Sequence, residues 1–277
     1  MSQAGAEPIQ TSTVDELRQL ADHLEGLKQS ARTKGYCAEL VEHLQLLRIG
    51  HATTTIELTF SAAFRARKLS DRYIPTNLSE LWHPPSHLVN ALGRANLPHA
   101  PVLYCSDGEL MAIREVGGSV GDRIAIIELG RALNAEPHIF VVGELVHRYR
   151  TRSSLIGGAL DDVLAKLTTM GVDLQRALMI DGFYADAFRT IGNDLYPLTV
   201  AIAQDFLSPS EIDGIAYPSV AAPVGLNLAL KPSAAMRVLT VRRVKIVQLE
   251  VSLRDTFKAR VEQASRWLAP SGEISWQ

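Results

Sequence analysis

The period of the apolar residues changes near residue 50 of this chain, and that change constrains the fold more than any other feature. Thr13 and Glu16 form a T-x-x-E capping box, in which each side chain satisfies the other's backbone N–H at a helix start. Val14, Leu17, Leu20, Ala21, Leu24 and Leu27 then recur every three or four residues, the spacing of one helix face. Gly35 breaks the pattern, and Leu40, Val41, Leu44 and Leu47 resume it up to Gly50. Residues 13–50 are expected to form a helical hairpin that packs or dimerises and supplies no catalytic group. From Thr54 the texture turns β-branched, with partial alternation of apolar residues through Ile56, Leu58 and Phe60, and strands and helices intermix beyond them without a strict strand–helix–strand rhythm. This predicts an α+β protein with a mixed sheet, divided into an N-terminal helical hairpin over 1–52 and a main domain over 53–277.

Within the main domain, Phe64-Arg65-Ala66-Arg67 as a strand places both arginines on one face. Residues 101–106 read as a strand ended by the Asp107-Gly108 turn, 109–116 as a short helix and 122–129 as another strand. Helices are expected over 155–170, stopped by Gly171, and over 194–207, with Pro197 in the first turn. Short strands follow at 214–219 and 226–230. Residues 236–253 supply one or two long strands, and 261–276 form a closing hairpin around Pro270-Ser271-Gly272.

Composition removes several function classes. The net charge of −2 lacks the basic excess that phosphate neutralisation demands of a dedicated nucleic-acid binder, so no nucleic-acid partner is expected. Cys37 and Cys105 are far apart and make neither a disulfide framework nor a four-ligand zinc site. Residues 1–13 lack the apolar core of a signal peptide, and no run approaches the ~18 apolar residues of a membrane helix. A cytoplasmic chain without a membrane partner is the expectation. There is no P-loop and no G-x-S-x-G elbow, and Gly117–Gly121 precedes a strand, so it reads as a turn. His83 and His87 are four apart, but Pro84 and Pro85 forbid the helix that would align them, so no metal is expected. Arg148, Arg150 and Arg152 read as a solvated face, and Asp161-Asp162 as surface charge.

Three segments remain in which apolar strand context carries polar groups it does not otherwise need. The first holds Gly93-Arg94-Ala95-Asn96, Val102-Leu103-Tyr104-Cys105-Ser106 and Ala112-Ile113-Arg114-Glu115-Val116. The second is Tyr217-Pro218-Ser219-Val220, and the third is Asn227-Leu228-Ala229-Leu230-Lys231-Pro232. With Phe64-Arg65, these blocks resemble the RES domain family, named for an arginine, a glutamate and a serine, over residues 56–232. The resemblance implies a core similar to the ADP-ribosyltransferase fold and a place among NAD⁺-consuming toxins of toxin–antitoxin pairs. It also implies Arg94, Tyr104, Glu115 and Ser219 as catalytic residues, with Arg65 or Arg67, Ser106 and Asn227 supporting the NAD⁺ site. A cognate antitoxin or a second copy of the chain would be the protein partner, and phosphate a possible co-substrate.

The chemistry of NAD⁺ suits one carboxylate. Nicotinamide leaves a cationic pyridinium as a neutral molecule, so no general acid is needed, whereas an ordinary glycosidase must protonate its leaving oxygen. Glu115 can hold the ribose hydroxyls and stabilise positive charge developing on the sugar. Arg94 and Arg65 can grip pyrophosphate bidentately, Tyr104 can pack on the nicotinamide ring, and Ser219 can bond ribose or the carboxamide. The expected function is NAD⁺ degradation with water or phosphate as acceptor. The alternatives are protein ADP-ribosylation at the same site and a non-catalytic nucleotide-binding regulator.

Overall fold

The Thr13–Glu16 capping box is formed as its sequence requires, and it starts α1 (Val14–Lys34), which ends where Gly35 turns at φ 72°. The structure, a computed structural model, describes residues 11–49, 55–57, 61–155, 165, 167, 169, 171–220, 225–253 and 256–277. After α1 come α2 (Ala38–Ile49), β1 (Thr55–Glu57), β2 (Ala63–Leu69), β3 (Leu103–Ser106), α3 (Glu109–Glu115), β4 (Arg123–Arg131), β5 (His138–Val141) and α4 (Glu144–Thr151). Then follow α5 (Leu174–Arg189), α6 (Tyr196–Leu207), β6 (Gly214–Pro218), β7 (Leu226–Leu230), α7 (Pro232–Val238), β8 (Leu239–Leu253), β9 (Thr256–Leu268) and β10 (Ile274–Trp276). The fold is α+β, with an N-terminal helical pair ahead of a mixed sheet.

The sheet runs β1-β5-β6-β7-β3-β2-β4-β8-β9-β10. β5 and β6 are parallel, and the other described neighbours are antiparallel. One face carries Phe140, Ile215, Tyr217 and Ala229 under the leucines of α1 and α2 and the apolar sides of α5 and α6. On that same face α3 lays Ala112 and Ile113 over Ala66, Ile124, Ile126, Val247 and Leu249. The other face buries Leu103, Cys105, Ile127, Leu228 and Leu230 against Leu81, Ala235, Val238 and Ile274. Strands in the middle of the sheet are therefore apolar on both sides, which explains their near-continuous hydrophobic runs.

β2 and β3 pair at Phe64–Ser106 alone, so the two strands splay apart along most of their length. The splay opens the helical face between α3 and the α5–α6 layer.

The structure departs from the sequence reading in places. Residues 236–238 close α7 instead of opening a strand; Pro232 stands in that helix's first turn, where its missing N–H costs nothing. Helices α4 and α5 and strand β5 are additional elements. Arg148 is not on a solvated face: it is buried at 2% exposure in an ion pair with buried Glu144, four residues earlier on α4, while Arg150 and Arg152 are exposed. The expected helix over 155–170 and Asp161-Asp162 lie largely outside the described residues.

Candidate active site

The site is built on one row of side chains crossing the sheet. Tyr217 on β6 pairs with Asn227 on β7, Asn227 with Ser106 on β3, and Ser106 with Phe64 on β2. Directly opposed residues of antiparallel strands share a face, so all four point toward the helices. Ser106 Oγ donates to Asn227 Oδ1 at 2.7 Å, and Asn227 Nδ2 donates to Glu115 Oε1 at 2.6 Å. Ser219 Oγ donates to the same oxygen at 2.5 Å. Glu115 is the last residue of α3 and is solvent-facing, while its three supports are buried. Its Oε2 accepts no hydrogen bond among the described residues. One oxygen is pinned and the other is presented.

Asp107 fixes the entry to α3. Its N–H donates to Leu226 O at 3.0 Å and its carboxylate accepts from Leu226 N at 2.8 Å, which ties the end of β3 to β7. Burial raises the Asp107 pKa above the usual carboxylate value. After α3, Gly117 turns the chain at φ 67° and brings Gly118 N to Ile113 O at 2.9 Å.

The Gly93–Asn96 segment is a turn closed by Gly93 N on Asn96 O at 3.0 Å. Tyr104 holds it: the phenol donates to Asn96 Oδ1 at 2.9 Å and accepts from Ala95 N at 2.8 Å. Burial raises the Tyr104 pKa, so the hydroxyl keeps its proton and stays a donor. Glycine is required at 93 because a Cβ there would sit 2.1 Å from Asn96 Oδ1 and 3.0 Å from the Tyr104 hydroxyl. Arg94 then leans across to the C-terminal end of α5, where Nη1 donates to Phe188 O at 2.7 Å and Thr190 O at 3.2 Å. Its guanidinium lies 5.3 Å from the Tyr196 ring centroid, a cation–π contact with the first residue of α6.

Arg65 bridges the splay between β2 and β3. Nε donates to Leu81 O at 2.8 Å, Nη1 to Tyr104 O at 2.9 Å and Nη2 to Trp82 O at 3.0 Å. Three of its five N–H groups are used on one strand carbonyl and two loop carbonyls, and two have no partner among the described residues. Burial lowers its pKa, but a guanidinium stays charged. Arg67 lies on the same side of β2, is exposed and donates to Glu80 O. Cys105 is buried, which pushes its thiol up to about 12 and leaves it unreactive.

These elements enclose a cleft of about 860 Å³ lined by Arg65, Arg67, Arg94, Tyr104, Ser106, Glu115 and Asn227. Ser219 reaches it through Glu115. All eight residues expected from the sequence meet in this one region. Lys68, Arg114, Tyr196 and Tyr217 also line it, and the sequence reading did not include them. Among the described lining residues five side chains are basic and only Glu115 is acidic, in a chain whose net charge is −2. The concentration of positive charge suits a polyanionic ligand. No group of three or more potential metal ligands occurs among the described residues, and no described helix is long and apolar enough to cross a membrane.

The α+β sheet, with one anchored glutamate among arginines and tyrosines at its splayed centre, defines a single-carboxylate cleft with basic walls. A family model described as the RES domain matches residues 62–253, and the chain belongs to the RES domain family. The match runs through β8, past the last block recognised in the sequence. No curated protein matches the sequence. Among solved structures, the chain is similar to one from the M. tuberculosis MbcT–MbcA toxin–antitoxin complex, at 13% identity and a TM-score of 0.37, covering 76% of this chain and 93% of that one.

Proposed function

We propose that the cleft binds NAD⁺ and cleaves its nicotinamide–ribose bond, with water or phosphate as acceptor. The observation that carries this reading is the Glu115 carboxylate, with Oε1 held by Ser219 and Asn227 and Oε2 open, inside a cleft otherwise lined by positive charge. Membership in the RES family supports it, as does the anionic character of a dinucleotide. In the reaction the C1′–N bond breaks and its electron pair stays on the pyridine nitrogen, which releases neutral nicotinamide. The acceptor oxygen bonds to C1′ and its proton passes to solvent. Glu115 Oε2 stabilises the cationic sugar, and its anchored partner oxygen means that no reorganisation is needed as charge develops. Arg94 and the free N–H groups of Arg65 hold the pyrophosphate, with Arg67 at the rim.

On this reading the chain is toxin-like, acts on the cytoplasmic NAD⁺ pool and has a cognate antitoxin as its protein partner. The test is incubation of purified protein with NAD⁺, with and without phosphate, followed by chromatography of the products. Free ADP-ribose identifies water as the acceptor and ADP-ribose 1″-phosphate identifies phosphate. ADP-ribose attached to protein instead supports the transferase alternative. Glu115→Gln keeps the shape and removes the charge, so turnover should fall about 100-fold or more while NAD⁺ binding changes much less. A folded Glu115→Gln protein with unchanged turnover rules the mechanism out.

A further inference from the structure

Tyr217 is 2% exposed and lines the cleft, yet its hydroxyl makes no hydrogen bond among the described residues. Buried phenols ordinarily find a partner, because an unmade hydrogen bond in the interior leaves the desolvation penalty uncompensated. The ring is well held: it packs on Phe188 with centroids 4.6 Å apart, and β6 fixes its backbone between β5 and β7. Nothing in that packing needs the oxygen. The register places Tyr217 opposite Asn227, the residue that anchors Glu115, at the Tyr217–Asn227–Ser106 end of the row that floors the cleft. The charges and phenols that act on its hydroxyl are those of Tyr104, Glu115, Arg94 and Tyr196, all groups of the cleft wall.

We infer that the Tyr217 hydroxyl is a ligand-binding group, held unpaired in the free protein and donating to an oxygen of the ligand's sugar–phosphate portion. The identity of that ligand rests on the NAD⁺ reading above. Burial raises the phenol's pKa, so it remains a neutral donor throughout the working pH range. In a cleft that Tyr217 shares with Arg94 and Glu115, a dinucleotide gripped at its pyrophosphate and its ribose would present sugar and phosphate oxygens. The arrangement sacrifices stability of the empty protein for a preformed contact in the complex.

Tyr217→Phe separates this role from a structural one, because it keeps the Phe188 packing and removes only the oxygen. Calorimetry with ADP-ribose, which lacks the nicotinamide–ribose bond that the proposed reaction breaks, measures binding, and thermal unfolding without ligand measures stability. The expected result is a ligand-free Tm raised by roughly 2 °C or more. Affinity for ADP-ribose should fall about tenfold, the loss of one well-made hydrogen bond. A variant that binds ADP-ribose as tightly as wild type overturns this proposal alone. So does one that melts well below wild type, since the hydroxyl would then be structural. Wild type that binds neither NAD⁺ nor ADP-ribose overturns the NAD⁺ reading and this proposal with it.

Discussion

Asn227 donates its side-chain amide to Glu115 at 2.6 Å across 112 positions of sequence, and its own carbonyl is held by Ser106 at 2.7 Å. The amide cannot flip without setting its oxygen against the Glu115 carboxylate, whereas the Ser106 hydroxyl can donate or accept, so the carboxylate contact fixes the amide's orientation. Asn227→Asp keeps the shape but places a second carboxylate against Oε1. Two such groups in contact share a proton, and the negative charge on Glu115 is diluted. NAD⁺ cleavage by Asn227→Asp should fall about 100-fold, comparable to loss of one preorganised electrostatic group. Ser106→Ala, which leaves the Asn227–Glu115 bond in place, should cost less than about tenfold. Equal losses in the two variants would show that Asn227 orientation does not control the carboxylate.

Arg94 is held by two carbonyls of the α5 end and the Tyr196 ring. A lysine can supply the charge but neither the planar fork nor the stacking. Arg94→Lys should therefore weaken binding of NAD⁺ or ADP-ribose by about tenfold or more and lower turnover at saturation much less. The opposite split, with kcat reduced and affinity intact, would place Arg94 against the reacting sugar instead of the pyrophosphate.

The blocks that announced the family in sequence are the ones whose side chains hold one another. Tyr104 holds Asn96, Ser106 holds Asn227, and Asn227 and Ser219 hold Glu115. Such mutual satisfaction leaves a residue-type signature at fixed places on strands, and that is why the convergence of these residues on one candidate site is legible in the sequence. What was not legible came from elements without a clean period. In α5 the stretch from Ile180 through Ala185 is buried on every side, so no polar stripe marks a helix, and Asp181 and Gly182 interrupt the apolar run. The carbonyls that receive Arg94 come from that helix's last turn and from its cap residue, Thr190. β5 has four residues, too few for alternation to show. Arg148 looked like surface charge because its partner Glu144 is a helix turn away, and pairing between such residues becomes visible only when both are buried.

Asp181 offers a pH test independent of the active site. It is buried in α5, where its carboxylate accepts from Gly143 N and Val146 N, both at 2.8 Å, at the start of α4. Burial pushes its pKa up to about 6, against the backbone donors that pull it down. Between pH ~4 and ~6 the folded chain holds a proton that the unfolded chain has released, so stability declines as pH rises through this window. The stabilising contribution of the protonated form is complete below about pH 4 and lost above about pH 6. Asp181→Asn removes the titration. The wild-type stability minus that of Asp181→Asn should therefore drop by something on the order of 2–3 kcal/mol between pH 4 and pH 7. Urea unfolding of both proteins at the two pH values measures it. A difference that stays constant would mean that the group does not titrate between them.

Leu20, Leu24 and Leu27 of α1 and Leu40, Leu44 and Leu47 of α2 belong to the same buried cluster as Phe183, Phe188, Leu198 and Ile215. One shared core implies that the helical pair and the sheet unfold together. Leu27, at 2% exposure, is the probe: Leu27→Ala should destabilise by about 2–5 kcal/mol through lost burial and the cavity left behind. The tryptophans Trp82, Trp267 and Trp276 all lie outside the helical pair, so their fluorescence follows the main domain, while far-ultraviolet circular dichroism follows every helix. In Leu27→Ala both signals should shift to lower denaturant by the same amount, in a single transition. If 1–52 were an independent unit, the dichroism transition would move and the fluorescence transition would stay where it is in wild type. In that case deletion of the hairpin would leave a folded domain that still cleaves NAD⁺. With a common core, the truncated chain should instead expose the α5–α6 face and aggregate.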